Sequence, residues 1–330
     1  MADARVAGVR VDARFVPFPM SISEQARSNL ARMVPNGERV GAPELPAADD
    51  HAGWTRLREA VNQGLLAMGE AMWGKPKAST ETTELGGAVV HIATPAALKG
   101  DDLAYLDIHG GALIYGGGEP CRLAGAARAD QHGVRCYSVD YRMPPEHPYP
   151  AALDDCLAVY RWLLQRHAPQ NIIVGGASAG GNLAAALALR ARDEGLPLPS
   201  ALVLQTPELD LTESGDSFRT NQTIDVILSG PLMATNLLYA SGQDLAHPYL
   251  SPLFGDFTRG FPPTLLQTGT RDLFLSNTVR MHRALRRAGV PVELHVFEGM
   301  PHFGFGGAPE DIELAAEISR FVAEHWGRKA

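Results

Sequence analysis

The sequence predicts an α/β fold on a mostly parallel, doubly wound sheet, and three observations predict it. From Gly87 onward, short β-rich runs alternate with helical patterns. The runs Ile172 to Gly175, Ala201 to Gln205 and Thr264 to Thr268 lack apolar–polar alternation, as strands buried on both faces should. A composition of 45% hydrophobic and 20% charged residues over 330 positions supports one large core with a modest appendage and excludes a disordered chain.

Taken in chain order, the first 14 residues, MADARVAGVRVDAR, scatter charges where a secretory signal needs an apolar core, so a cytoplasmic location is expected. A helix is expected next, opened by Ser21 with Glu24 as a capping box and carrying Ile22, Ala26, Leu30 and Met33 on one face. Proline-containing sequence from Pro35 to Asp50 reads as a connecting loop. A second helix carries Trp54, Leu57, Val61, Leu65, Met68 and Met72 at steps of three and four. Two such helices cannot form a core alone, so residues 1–80 are expected to be a helical cap lying on a larger domain at 81–330.

In that larger domain Ala88 to Ile92, Ala104 to His109, Val134 to Val139, Ile172 to Gly175, Ala201 to Gln205, Thr264 to Thr268 and Val292 to Phe297 read as strands. Ala151 to His167, Ala179 to Glu194, Leu275 to Ala288 and Glu310 to Trp326 read as helices. The apolar stretch Leu183 to Leu189 stops at Arg190, well short of the roughly 18 residues of a membrane helix. A net charge of -8 with dispersed arginines argues against nucleic acid as a partner. Cys121, Cys136 and Cys156 are odd in number and lack C-x-x-C spacing, which predicts free core thiols and neither a disulfide framework nor a zinc ribbon.

Chemistry enters at Gly176-Ala177-Ser178-Ala179-Gly180, a G-x-S-x-G match. Among 34 glycines the pattern alone is weak, but a buried strand precedes it and an Ala-rich helix follows, the setting of a nucleophile elbow. A serine hydroxyl needs a base. With the chain order Ser, acid, His, only His302, in the Gly-rich loop GMPHFGFGG, follows a complete strand after Ser178. Asp272 follows the penultimate strand and suits the acid; it could also cap the helix starting near Leu275. His109-Gly110-Gly111-Ala112 ends an early strand, and the N–H groups of Gly111 and Ala112, with that of Ala179, are the expected oxyanion donors.

These motifs, with Val139-Asp140-Tyr141-Arg142-Met143-Pro144-Pro145-Glu146-His147-Pro148-Tyr149-Pro150-Ala151-Ala152, resemble the hormone-sensitive-lipase family of α/β-hydrolases, the bacterial family IV esterases. His247 to Leu253 and Ala288 to Val292 are similar to family segments as well. The resemblance runs from about residue 85 to the C-terminus and leaves the helical N-terminus as the family's cap. It implies a serine carboxylesterase acting on short acyl or aryl esters, with no metal or organic cofactor and a small-molecule ester as partner. Hydrolysis of cyclic esters, as in monoterpene lactone hydrolases, is the nearest alternative, and a dehydratase of the same family a further one. A receptor of the gibberellin type lacks the histidine that His302 supplies. A homodimer is implied by the resemblance, with an exposed sheet edge as its physical motive.

Three positions depart from the family pattern. Ala112 replaces the last glycine of H-G-G-G; alanine keeps its N–H, so the hole is expected to survive provided that the φ there is negative. Ala177 stands where an acidic residue commonly precedes the serine. Glu208, after the strand that follows the elbow, is either a pocket carboxylate or one member of an ion pair, the second being the favoured expectation.

Overall fold

The computed structural model describes residues 9, 11–38, 41, 43–47 and 49–327; the first eight residues, on which part of the location argument rests, lie outside them. Its helices are α1 (Glu24–Met33), α2 (His51–Trp73), α3 (Glu119–His132), α4 (Ala151–Leu164), α5 (Ala179–Asp193), α6 (Ser217–Thr220), α7 (Met233–Ala240), α8 (Leu275–Arg287) and α9 (Pro309–His325). Its strands are β1 (Ser79–Leu85), β2 (Ala88–Thr94), β3 (Ala104–Ile108), β4 (Arg135–Val139), β5 (Ile172–Ala177), β6 (Ala201–Gln205), β7 (Thr264–Gly269) and β8 (Val292–Phe297). They form one sheet in the order β1-β2-β4-β3-β5-β6-β7-β8. β1 and β2 run antiparallel to each other, and β2 to β4; every other pairing is parallel.

The central strands are largely aliphatic because both faces are covered. Successive residues point to opposite faces. Leu106, Val174, Leu202, Leu204 and Leu266 meet Leu153 and Leu157 of α4, Leu183 and Leu187 of α5, and Met281 and Leu285 of α8. Their neighbours Tyr105, Ile173, Val203 and Leu265 meet Ala126 and Ala129 of α3 and Leu314, Ile318 and Phe321 of α9. The three cysteines are buried free thiols. No helix among the described residues is long and apolar enough to cross a membrane.

β3 feeds β4 on one side while its other neighbour is β5, so the strand order reverses at the β3–β5 pair. A crevice opens at the carboxyl ends of strands at such a point. The register sets Ile108 beside Gly176, which brings the segments starting at His109 and Ser178 to the same end of the sheet.

The observed strands and long helices follow the expected pattern with shifts of a few residues, and the differences have physical causes. β1, Ser-Thr-Glu-Thr-Thr-Glu-Leu, was not expected: it is an exposed edge strand whose one aliphatic residue is the buried Leu85 at its end, and it relies on threonine. α3 presents Gly125, Ala126 and Ala129 to the sheet and lacks the large apolar stripe that marks a helix in a sequence. A Cβ on Gly125 would sit 2.1 Å from Ser138 Oγ, so close packing on β4 requires the small residue. α6 and α7, in the long excursion between β6 and β7, were also unexpected. The cap of α1 is Ser23, whose hydroxyl accepts the Ala26 N–H at 3.1 Å; Ser21 instead donates to Glu298.

α1 buries Ile22, Ala26 and Leu30 against Met300, Phe305 and Ala308 of the loop between β8 and α9. α2 sets Trp54, Leu57, Val61 and Leu65 against Ile114 and Tyr115, with Ala112 and Leu238 of α7 alongside. Both helices therefore rest on the loops that follow strands. Leu30 is 1% exposed, so Leu30→Ala should leave a cavity beneath the loop after β8 and cost about 2 to 5 kcal/mol. Urea unfolding measures this, and a loss under about 0.5 kcal/mol would mean that α1 is not held by this contact.

Candidate active site

Ser178 occupies the turn between β5 and α5 with φ 56° and ψ -121°, a conformation that costs a non-glycine residue about 1 to 3 kcal/mol. The surroundings impose it. A Cβ on Gly180 would lie 1.9 Å from Ile108 O, and one on Gly176 would lie 2.2 Å from Gly180 O. Both glycines are required for α5 to begin against the end of β3. The Ser178 N–H donates to Gln205 O at 2.9 Å, and Ser178 O accepts the Glu208 N–H at 3.1 Å, so β6 and the segment after it brace the turn.

The structure brings the three expected residues together. His302 Nε2 lies 2.9 Å from Ser178 Oγ, and His302 Nδ1 lies 3.0 Å from Asp272 Oδ1. Asp272 Oδ2 accepts the Thr268 hydroxyl at 2.7 Å, and Oδ1 also accepts the Phe274 N–H at 2.9 Å. Asp272 thus braces the turn before α8 while facing the imidazole, although it is not the helix N-cap, which is Phe274. His302 is fully buried between the edges of Phe274 and Phe303, at ring separations of 5.0 and 4.7 Å. Its loop is tied down by Asp311, which accepts N–H groups from Phe305, Gly307 and Ala308, and by Asn29 of α1, which donates to Phe305 O at 2.7 Å.

The loop after β3 approaches the same hydroxyl. A Cβ on Gly110 would sit 3.3 Å from Ser178 Cβ and 2.9 Å from Ala177 O. Gly111 has φ 121° and its carbonyl accepts the N–H groups of Ile114 and Tyr115. Ala112 has φ 51° and Leu113 φ 65°, so the expectation of a negative angle at Ala112 is corrected. The reason is the turn: Gly111 O must meet two donors three and four residues on, and the chain reverses through two left-handed residues to do so. Among the described residues no intramolecular acceptor takes the N–H of Gly111 or Ala112. Ala179 opens α5, where the first N–H groups of a helix have no intrahelical partner.

His109 supports this loop from below. Its ring stacks on Tyr141 at 4.0 Å and 6°, its Nδ1 lies 2.8 Å from Gly110 O and therefore carries the proton, and Tyr141 donates to His109 O. Burial pushes its pKa down, which keeps the ring neutral.

Glu208 makes no ion pair among the described residues, which corrects the favoured expectation. Asp210, two residues on, does make one, with Arg280 at 2.6 Å. Glu208 is fully buried beside Asn236. Neither carboxylate oxygen has a hydrogen-bond partner among the described residues, and burial first, then the charges of Glu213 and Asp210, push its pKa up to about 8. It faces Ser178 through its backbone, and Asn182 of α5 donates to its carbonyl at 2.7 Å.

A cavity of about 950 Å³ lies at this end of the sheet; Ser178, Asp272 and His302 do not themselves line it, but their chain neighbours Ala177 and Phe303 do. Gly110, Ala177 and Phe303 line its inner end; Leu65, Met68 and Met72 of α2, Arg128 of α3, and Ile312 and Ala315 of α9 line the rest. Phe303, Asp225 and Thr268 are site neighbours that sequence reasoning missed. Phe303 adjoins a candidate histidine, the one signal that could have found it, whereas nothing local marks Asp225.

Residues 105–305 match the family model described as alpha/beta hydrolase fold. An esterase of Acinetobacter venetianus is 37% identical over 221 residues, covering 65% of this chain and 73% of that protein. An acetyl-hydrolase of Streptomyces hygroscopicus is 34% identical over 224 residues, covering 67% and 74%. The crystal structure of esterase E25 superposes with a TM-score of 0.86 at 36% identity, covering 97% of this chain and 99% of that one. An esterase from the bacterial hormone-sensitive lipase family superposes with a TM-score of 0.79 at 30% identity, covering 93% and 100%.

The raised pKa of Glu208 sets a pH dependence of stability. An unfolded glutamate loses its proton near about 4.3, and folded Glu208 near about 8. Between these values the folded state holds the extra proton, so stability falls as pH rises through the window. Glu208→Gln removes the titration. Its stability relative to the natural chain should rise between about pH 5 and about pH 8, by up to a few kcal/mol, in urea unfolding. A difference that stays constant with pH would contradict a neutral buried Glu208.

Proposed function

This chain belongs to the α/β-hydrolase fold family, in its hormone-sensitive-lipase branch, and from that premise we propose that it is a serine carboxylesterase working through an acyl-Ser178 intermediate. The observation that carries the reading is the imidazole of His302, within 3.0 Å of both Ser178 Oγ and Asp272 Oδ1 beside the glycine loop after β3. The esterase and acetyl-hydrolase names of the relatives support it.

In this reading Ser178 Oγ attacks the ester carbonyl carbon while His302 Nε2 takes its proton. Asp272 holds the Nδ1 proton and stabilises the imidazolium. The oxyanion is received by the N–H groups of Gly111, Ala112 and Ala179. Collapse of the tetrahedral adduct expels the alcohol, which receives the proton from His302. Water, deprotonated by the same nitrogen, then attacks the acyl carbonyl and releases the acid and Ser178. His109, Gly110, Gly176 and Gly180 shape the site and take no part in proton transfer.

Residues 1–80 serve in this reading as a cap, with α2 roofing the cavity that receives the substrate. Contact between Trp54 and the Ile114–Tyr115 segment supports this, because the roof then rests on the oxyanion loop itself. A roofed cavity favours small acyl groups: each methylene that fits contributes about 0.8 kcal/mol, and each that does not must displace packed side chains.

Ser178→Ala should lower kcat by about 10⁴ to 10⁶ with the fold intact, and a fluorophosphonate should label Ser178, as read by peptide mass spectrometry. An adduct on another residue, or an alanine variant of full activity, would refute the nucleophile. Across a p-nitrophenyl ester series, kcat/KM should peak at about two to eight acyl carbons and fall beyond. Efficient cleavage of emulsified long-chain triglycerides would argue against the roofed pocket.

A further inference from the structure

The cavity is apolar along α2, where Met68, Met72 and Trp73 line it, yet a guanidinium stands in its wall. The side chain of Arg128 is only 14% exposed. Two of its five N–H groups are spent, one of Nη1 on Gln131 Oε1 at 2.9 Å and one of Nη2 on Gln205 Oε1 at 2.7 Å. Its counter-charge, Asp107, stays 3.9 Å from Nε, beyond hydrogen-bonding range, and accepts the Ser138 hydroxyl at 3.4 Å. The remaining N–H groups of this largely buried cation meet no acceptor among the described residues. Gln205 adds a further donor: its Oε1 must face the donor-only guanidinium, so its Nε2 points the other way and donates to no described residue. A tie between α3 and β6 needs one hydrogen bond, and a planar fork with donors left over exceeds it. Gln205 pairs with Ala177 across β5 and β6, which sets the cluster one strand spacing, about 4.8 Å, from the residue before Ser178. The other acids that line the cavity are engaged, Asp311 by loop N–H groups and Asp130 by the Lys77 N–H, and the exposed Lys75 and Lys77 line it as well.

We propose that Arg128 determines the specificity of this site, and that the ester it selects carries a carboxylate on one of its two halves, bound in the cavity by the guanidinium and Gln205 Nε2 while Ser178 attacks the ester carbonyl. The inference rests on the Ser178 esterase reading. A carboxylate that enters an apolar cavity loses its hydration, so such an ester is rejected unless a cation with unspent donors replaces the water. Arginine suits that task because its planar fork meets both carboxylate oxygens at once. The fork is also set in place before a ligand arrives. The Trp73 ring lies 5.9 Å from Arg128 Cζ, and Gln131, which accepts from Nη1, is itself fixed by donating to Ala315 O and Ser319 Oγ of α9. Donors held in this way lose little freedom on binding.

Two pairs of esters test this, each matching a charged member with a neutral one of similar length. Monoethyl adipate against ethyl hexanoate places the carboxylate on the acid half; ω-acetoxyhexanoate against hexyl acetate places it on the alcohol half. In the natural chain, kcat/KM for the charged member should equal or exceed that of its neutral counterpart in one of the pairs, and that pair tells which half occupies the cavity. Charged members disfavoured in both pairs overturn the inference, with no variant needed. Arg128→Met should lower the charged-to-neutral ratio by about ten- to a hundredfold, mainly through KM, the worth of one hydrogen bond to a charged group. Because the ratio is taken within one protein, damage to the fold lowers both members alike and leaves it in place, so an unchanged ratio overturns the role of Arg128. Should Arg128→Met not fold, Arg128→Gln takes its place; it can still donate to Gln205 but lacks the charge, and the same fall is expected. Failure of the esterase reading looks different, since the natural chain would then cleave neither member of either pair or carry its fluorophosphonate adduct away from Ser178.

Discussion

The contact on which the rest of the site depends is that between the start of α5 and the end of β3. Gly180 has no space for a Cβ because Ile108 O would lie 1.9 Å away. That approach drives Ser178 into its strained turn, lifts its hydroxyl above the sheet and sets it beside Gly110. Ser178 and the glycine loop after β3 are thus positioned by one packing constraint, since β3 and β5 are neighbours at the point where strand order reverses. A strain of about 1 to 3 kcal/mol is sustained because the parallel core beneath it, aliphatic on both faces, cannot relax without losing burial.

His302 joins this rigid base to its less regular surroundings. The imidazole comes from the loop after β8, its partner Asp272 from the loop after β7, and neither loop would hold its shape alone. α1 supplies apolar cover and an Asn29 hydrogen bond to the first; Asn221 and Asp225 of the β6–β7 excursion hold the second. The N-terminal helices and the excursion are therefore mechanically part of the site, beyond any role as a roof. A cut in either would be felt at the imidazole, because buried backbone donors and acceptors in these loops would lose their partners.

Negative charge is handled in two ways around Ser178. Asp225 accepts backbone N–H groups from Ile227, Leu228 and Leu273, and Asp272 accepts that of Phe274. Glu208 has no such donors and sits near Glu213 and Asp210, so it holds its proton. The contrast follows from the donors each side chain meets, and not from residue type.

Much of this was legible in the chain. The alternation of aliphatic runs with helical patterns predicted the sheet because burial on two faces demands such runs locally. The glycines around Ser178 and the order Ser178, Asp272, His302 pointed to the residues that the fold brings within hydrogen-bonding distance. Where the sequence misled or was silent, the deciding contact was distant or the local pattern bland. β1 and α3 lack the apolar patterns that mark such elements, each holding a single leucine, because an exposed edge and a tight helix–sheet contact favour other residues. The positive φ of Ala112 follows from the turn closed on Gly111 O, and Glu208 is buried without an ion-pair partner among the described residues, which nothing in its local sequence marks. Asp225 reaches the acid loop across 48 residues of chain. Composition and local spacing determined the architecture and the reacting groups, whereas the charge state and backbone angles around them were decided only when packing chose each group's neighbours.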